Sequence, residues 1–263
     1  MSAATAEVLL EVEGAVATLT LNDTARRNVM TPELGDALRA RVEALKGRGD
    51  VRAVVLTGAG GAFSAGGDLK MLERLRQASF EESRTFMLDF YARYLSVLDL
   101  PVPVIAAVDG PAIGAGLCVA LACDLCLVAE DSKLALNFVQ LGLHPGMGAT
   151  YLAPRRAGAQ AAAELLLTGR RFDGREAVRL GLALEAAPAG QVLARARELA
   201  GRIAANAPLA VRALKQRLGM DGAELQRALE EEARFQAESY GSQDLGEGLA
   251  AAAARRAPVF EGR

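Results

Sequence analysis

The chain has 263 residues and a formal net charge of −2, with 51% hydrophobic and 24% charged side chains. That length suits one large α/β domain or two small ones, and the composition is that of an ordinary globular protein. With no basic excess the chain is not built for nucleic acid, and any anionic ligand must be held by local groups.

The opening MSAATAEVLLEVEGAV has neither a basic n-region nor a long apolar core, so no leader is expected and the protein reads as cytoplasmic. No apolar run is long enough to argue for a membrane span. VLLEVEG and VATLTLN flank Gly14 and predict a β-hairpin. TPELGDALRARVEAL follows with Thr31 as N-cap, Pro32 at the first helical position and Glu33 in the first turn. Its Leu34, Leu38, Val42 and Leu45 recur at helical spacing. VRAVVLTG is a β-branched apolar run bounded by glycine, the pattern of a strand buried on both faces. Together these make a βαβ unit, for which a right-handed crossover is expected.

Residues 81–99 carry Phe86, Phe90, Tyr91, Tyr94, Leu95 and Leu98 and predict an amphipathic helix. PVPVIAAVDG repeats the buried-strand pattern, GPAIGAGLCVALAC turns through glycines into a small-residue helix, and DLCLVAE is a further strand. KLALNFVQLGLHPGMGATYLAP (133–154) reads as a short strand, a tight turn and the start of a helix. AAAELLLTGRRFDGREAVRLGL and QVLARARELAGRIAANAPLAVRALKQRL read as helices, the second broken at Ala207-Pro208. The tail is helical with a turn near Gly241. An α/β core over 1–200 and a helical region over 201–263 are therefore expected, with no internal repeat.

Cys118, Cys123 and Cys126 share one apolar stretch, and the only histidine, His144, lies far along the chain. This spacing fits no common zinc site, so reduced buried thiols and no metal are expected. Two glycine-rich loops follow two of the predicted strands: GAGGAFSAGGDLK (58–70) and GPAIGAG (110–116), the second running straight into a helix. Glycine lets a ligand approach the backbone, and a helix start offers unpaired N–H groups with a favourable dipole. Two such N–H groups aimed at one point form an oxyanion hole. Glycine-rich βα turns are also common scaffolding, and neither loop carries the dinucleotide fingerprint.

FSAGGDLKML, PVPVIAAVDGPAIGAG, ACDLCLVAEDSKLAL, LGLHPGMGAT, LLLTGRRFDGREAVRLGL and RRAPVFEGR, in this order over nearly the whole chain, resemble the crotonase, or enoyl-CoA hydratase/isomerase, superfamily. The resemblance implies a spiral of ββα units, a C-terminal helical trimerisation region and a homotrimer or homohexamer. It implies an acyl-CoA thioester as ligand, with coenzyme A part of the substrate and no separate cofactor. By the same resemblance, the backbone N–H groups of Gly67 and Ala115 hold the thioester carbonyl as it becomes an enolate, with Ala65 and Leu69 beside the substrate. Asp68 takes the place of the family's aspartate after this loop and reads as N-cap of LKMLERL. Asp124, opening a strand, reads as structural. NDTARRNVM matches the loop bordering the nucleotide and pantetheine, where Arg26 or Arg27 pairs with phosphate or else stays a solvated surface arginine. Arg212 and Lys215 are secondary candidates.

Three carboxylates of the family pattern are missing. The place of the first hydratase glutamate holds Cys118, that of the second holds Phe138, and the place of the isomerase carboxylate holds Gly146. A positioned acid or base contributes roughly 10²- to 10⁴-fold, so losing both argues against ordinary hydration. His144, two residues before Gly146, is a candidate proton-transfer group on a turn expected to face the acyl chain. Cys118 in an apolar helix is a weak acid, and Glu73, Glu81 and Glu82 fit a solvated helix face better than an inward-swinging base. Phe138 with Met71, Leu72, Leu75, Leu117 and Leu143 makes an apolar acyl slot or plain core. Three functions remain: a hydratase- or isomerase-like enzyme with an unusual acid or base, a decarboxylase of a carboxyacyl-CoA, or a non-catalytic acyl-CoA binder.

Overall fold

A computed structural model describes residues 7–263; residues 1–6, part of the stretch read for a leader, lie outside the described residues. Strands β1 (Val8–Glu13) and β2 (Val16–Leu21) form the antiparallel hairpin around Gly14, with Val8 opposite Leu21. Helix α1 (Pro32–Lys46) starts where its cap predicts: the Thr31 hydroxyl accepts from the Leu34 N–H, and Leu34, Leu38, Val42 and Leu45 are buried.

Next come β3 (Ala53–Gly58), α2 (Leu69–Leu75), α3 (Phe80–Leu95), β4 (Val104–Val108), β5 (Ala112–Ile113), α4 (Ala115–Ala122), β6 (Leu125–Ala129) and β7 (Leu134–Ala135). They lead to α5 (Ala149–Thr168), β8 (Arg171–Phe172), α6 (Gly174–Arg179) and β9 (Glu185–Ala187). A six-stranded sheet runs β1-β2-β3-β4-β6-β9 and is parallel apart from β1; a small sheet runs β5-β7-β8. A strand of the large sheet, a strand of the small sheet and a helix recur as β4-β5-α4 and β6-β7-α5. In the preceding turn a parallel bridge from Ser64 to Ala112 stands in for the small-sheet strand between β3 and α2. This is the expected spiral of ββα units.

Four helices follow: α7 (Val192–Ala204), α8 (Pro208–Leu218), α9 (Gly222–Tyr240) and α10 (Gln243–Ala254). Helix α7 buries Val192, Ala196, Ala200 and Ala204, spaced by four, against Ala53, Val55, Ile105, Ala107 and Leu127 on one face of the large sheet. The opposite face, with Val54, Leu56, Val104, Ala106 and Val108, belongs to the main core shared with α1, α3, α4 and α9. Covering on both faces explains why residues 53–56 of β3 and all of β4 are apolar rather than alternating. The stretch read as one helix through FDGREAVRLGL differs: Gly169 ends α5 in the left-handed region, β8 follows, and Asp173 caps a new helix by accepting from the Glu176 N–H. Helix α5 itself kinks at Gly158 (φ 76°). Two-residue strands leave no periodicity in sequence, which is why β5 and β8 were not legible.

Candidate active site

The two glycine-rich loops meet. Asn28, fully buried and left-handed (φ 53°), donates its amide to Ala59 O (3.0 Å) and Ala62 O (2.7 Å), so it fixes the first loop from outside. Ser64 Oγ donates to Asn28 O (2.8 Å), and Ala65 N to Arg27 O (2.9 Å). Met30 N donates to Gly66 O (2.8 Å), while Asp68 N donates to Met30 O (3.3 Å). Met30 thus pairs with both neighbours of Gly67, and in extended backbone that turns the Gly67 N–H to the opposite side. It meets no protein acceptor among the described residues.

The second loop ends β5 at Gly114, whose φ 53° and ψ −119° suit glycine alone. Helix α4 then begins at Ala115, whose N–H is one of the first-turn donors left without an intrahelical partner. Ile113 N donates to Ser64 O (3.1 Å), joining the loops directly. The contact is close: a β-carbon on Gly66 would lie 2.6 Å from Ile113 O, and one on Gly116 2.6 Å from Ser64 Cβ. Gly67 and Ala115 therefore stand on adjacent, bridged segments with both N–H groups uncommitted.

Asp68 accepts from the Lys70 N–H (2.9 Å) and caps α2, as expected. Met71, Leu72 and Leu75 on that helix are buried, whereas Leu69 is 44% exposed on its outer side, so it does not line a buried slot. Arg26 is exposed and paired with Asp23 (2.7 Å). Arg27 is exposed and forms no ion pair among the described residues. Lys215 is not available for a ligand: its Nζ donates to Asp124 Oδ2 (2.7 Å) and Val102 O (2.9 Å), and Asp124 also accepts from Val104 N (2.7 Å). Glu73 pairs with Arg76, Glu81 with Arg84, and Glu82 closes a capping box with Ser79, so none turns inward.

Cys118 sits one turn along α4 from Ala115, fully buried, with Sγ 3.8 Å from Gly146 O. Burial, then the charge of Glu232, pushes its thiol well above the usual range. The Phe138 ring is 3.8 Å from where a side chain on Gly114 would begin, and Leu117, Leu143 and Met71 share its apolar cluster. A β-carbon on Gly146 would lie 2.5 Å from Tyr91 Oη and 2.6 Å from Gln236 Nε2. Tyr91 Oη donates to Gln236 Oε1 (2.8 Å), and its phenol is pushed far up by burial, then by Glu232. The volume beside Gly146 is thus filled by a neutral phenol and amide.

His144 lies on the turn that leads into α5. Its ring stacks on Phe235 of α9 (centroids 4.8 Å apart), and its Nδ1–H donates to Pro145 O at 2.6 Å. Burial lowers its pKa, so near neutral pH it is an uncharged imidazole packed on the helical region rather than on the glycine-rich loops. The sequence reading missed Glu232, a carboxylate pushed up to about 7, mainly by burial, that accepts from Gly148 N and Thr150 N. In LEEEARFQAES it resembles a solvated acidic run; its signal is that Leu225, Leu229, Glu232, Gln236 and Tyr240 share the buried face of α9. Among the described residues no group of three or more His, Cys, Asp or Glu side chains is placed to hold a metal.

Comparison with known proteins agrees with this geometry. The family profile described as enoyl-CoA hydratase/isomerase matches residues 11–263. A putative enoyl-CoA hydratase of Thermus thermophilus is 39% identical over 254 residues, covering 96% of this chain and 100% of that protein. A probable enoyl-CoA hydratase, EchA14, of Mycobacterium tuberculosis is 44% identical over 177 residues, 67% of this chain and 68% of that one. Among solved structures, EchA1_1 of Mycobacterium paratuberculosis superposes with a TM-score of 0.86 at 32% identity, covering 98% of this chain and 100% of that one. The bridged loops, the ββα spiral and these likenesses lead to one assignment: the chain belongs to the enoyl-CoA hydratase/isomerase family of the crotonase superfamily.

Proposed function

We propose that this protein is an acyl-CoA thioester enzyme whose Gly67 and Ala115 N–H groups hold the thioester oxygen while an enolate forms. The observation that carries the reading is that these two N–H groups, on directly bridged loops, have no acceptor among the described residues. Donors already in place stabilise developing negative charge without reorganising. Arg27, exposed and without an ion pair among the described residues, beside the Ala65 segment, is the group we assign to a coenzyme A phosphate; Arg26, held by Asp23, is the weaker candidate.

The lining near the donors argues against hydration. Addition of water needs a group to activate the water and another to deliver a proton. The positions for such groups hold a protonated thiol at Cys118, the Phe138 ring, and the Tyr91–Gln236 pair beside Gly146. Decarboxylation of a carboxyacyl-CoA is the second reading, favoured by this uncharged lining. There the Cα–carboxylate bond breaks, its electron pair enters the enolate, carbon dioxide leaves and Cα takes a proton from water. Assembly as a homotrimer or homohexamer belongs to the same reading; Leu209, Leu214 and Leu218 leave α8 with exposed apolar surface.

The test is exchange of Cα protons of a saturated acyl-CoA in D₂O, followed by NMR, for wild type, Gly67→Ala and Gly67→Pro. A β-carbon at 67 meets nothing within 4 Å, so Gly67→Ala keeps the donor and is expected to keep activity. Gly67→Pro removes the donor and is expected to slow exchange by roughly 10²- to 10³-fold. Equal rates in the two variants would sink the oxyanion role. Binding without exchange in wild type, together with release of carbon dioxide from a carboxyacyl-CoA, would select decarboxylation; neither reaction would leave a binder.

A further inference from the structure

Glu232, Gln236 and Ser239 occupy positions i, i+4 and i+7 of α9, one face of the helix. All three reach the same segment. Ser239 Oγ accepts from His144 N (3.1 Å), and Gln236 Nε2 donates to His144 O (2.9 Å). Glu232 accepts from Gly148 N (2.6 Å), Thr150 N (2.7 Å) and Thr150 Oγ1 (2.6 Å). Glu232 and Gln236 are 1% and 2% exposed, and no cation pairs with Glu232 among the described residues.

The gripped segment does not hold its shape by itself. Met147 (φ 62°) and Gly148 (φ 75°) are both left-handed, the former against the preference of a non-glycine residue. Gly148, as N-cap of α5, supplies no side chain, so its own N–H and that of Thr150 depend on the carboxylate from α9, while Ala149 N and Tyr151 N reach Gly146 O and Gly148 O. A buried carboxylate without a cation is costly, and here converging donors and a helix start offset part of that cost. Gly146, in the middle of the segment, places its carbonyl against Cys118, one turn from Ala115.

We propose that this face of α9 is the template that sets the wall 144–150 against α4, with Glu232 as the positioning residue for the enolate chemistry; the proposal rests on the reading above. Only a carboxylate offers acceptors to both N–H groups and the hydroxyl. Glutamine replaces one acceptor with an NH₂ that faces a donor, and aspartate is one methylene short.

The experiment compares wild type, Glu232→Gln and the milder Thr150→Val, which removes one donor from an exposed residue. Amide hydrogen exchange over 146–152 reports the wall, thermal unfolding reports the fold, and Cα exchange with acyl-CoA affinity reports the chemistry. Expected are faster amide exchange in 146–152 than in α4, acyl-CoA affinity within a few-fold of wild type, and turnover lower by about 10- to 100-fold in Glu232→Gln. Thr150→Val is expected to fall between, and it carries the test if Glu232→Gln does not fold. Unchanged protection over 146–152, or full turnover despite a loosened wall, would overturn the proposal. If wild type exchanges no Cα proton but releases carbon dioxide from a carboxyacyl-CoA, that release becomes the measure of turnover; if it does neither, the functional reading fails by itself. Positioning is then judged on acyl-CoA affinity: a tenfold loss supports it, and no loss overturns it.

Discussion

At Gly146 a single hydrogen separates the backbone from Tyr91 Oη and Gln236 Nε2. Both neighbours are buried, and each is anchored, the phenol to the amide and the amide to His144 O. Gly146→Ala forces them apart and is expected to destabilise by about 1–3 kcal/mol, the ordinary cost of overpacking. Urea unfolding would measure it, and a neutral result would show that the pair yields freely. The absence of a carboxylate at 146 was legible in the sequence. What occupies its place was not, because Tyr91 and Gln236 come from helices far apart in the chain. The same holds for Cys118: a small side chain in an apolar helix predicts burial, and burial makes it a poor acid.

Among elements, the first glycine-rich loop shows how a site is built from pieces without regular structure. Its residues do not hydrogen-bond to themselves into a ladder; they are fixed by Asn28, Met30 and the β5 segment. Asn28→Ala removes one buried and one part-buried bond to loop carbonyls and leaves a left-handed alanine. The expected loss is about 2–3 kcal/mol in stability. Slower Cα exchange is expected with it, since the Gly67 N–H loses its orientation. Denaturation of the variant alongside the exchange assay checks both; wild-type stability would mean that the loop holds itself. Helices with caps and apolar stripes, such as α1 from Thr31 to Leu45, were readable because their signals are local. The two-residue strands β5 and β8 of the small sheet were not.

For the molecule as a whole, Asp124 ties three parts together: the start of β4 through Val104 N, the start of β6, which it directly precedes, and α8 through Lys215. With Lys215 largely buried in this pair, Lys215→Met is expected to lower stability by about 1–3 kcal/mol while leaving acyl-CoA affinity unchanged. Thermal unfolding and calorimetric titration with an acyl-CoA decide it; weakened binding at unchanged stability would return Lys215 to the ligand. The sequence by itself determined the α/β class, the order of the main strands and helices, the two glycine-rich loops and the lack of carboxylates at 118, 138 and 146. Each of these is written in neighbouring residues or in a fixed period. Only the tertiary structure decided that Gly67 and Ala115 stand on bridged segments with free donors, that His144 packs on α9, and that Glu232 caps α5. The last two depend on side chains meeting across 82 or more residues of chain, as Glu232 and Thr150 do, and the first on backbone bonds between separate loops, such as Ile113 N to Ser64 O; no local pattern records such meetings.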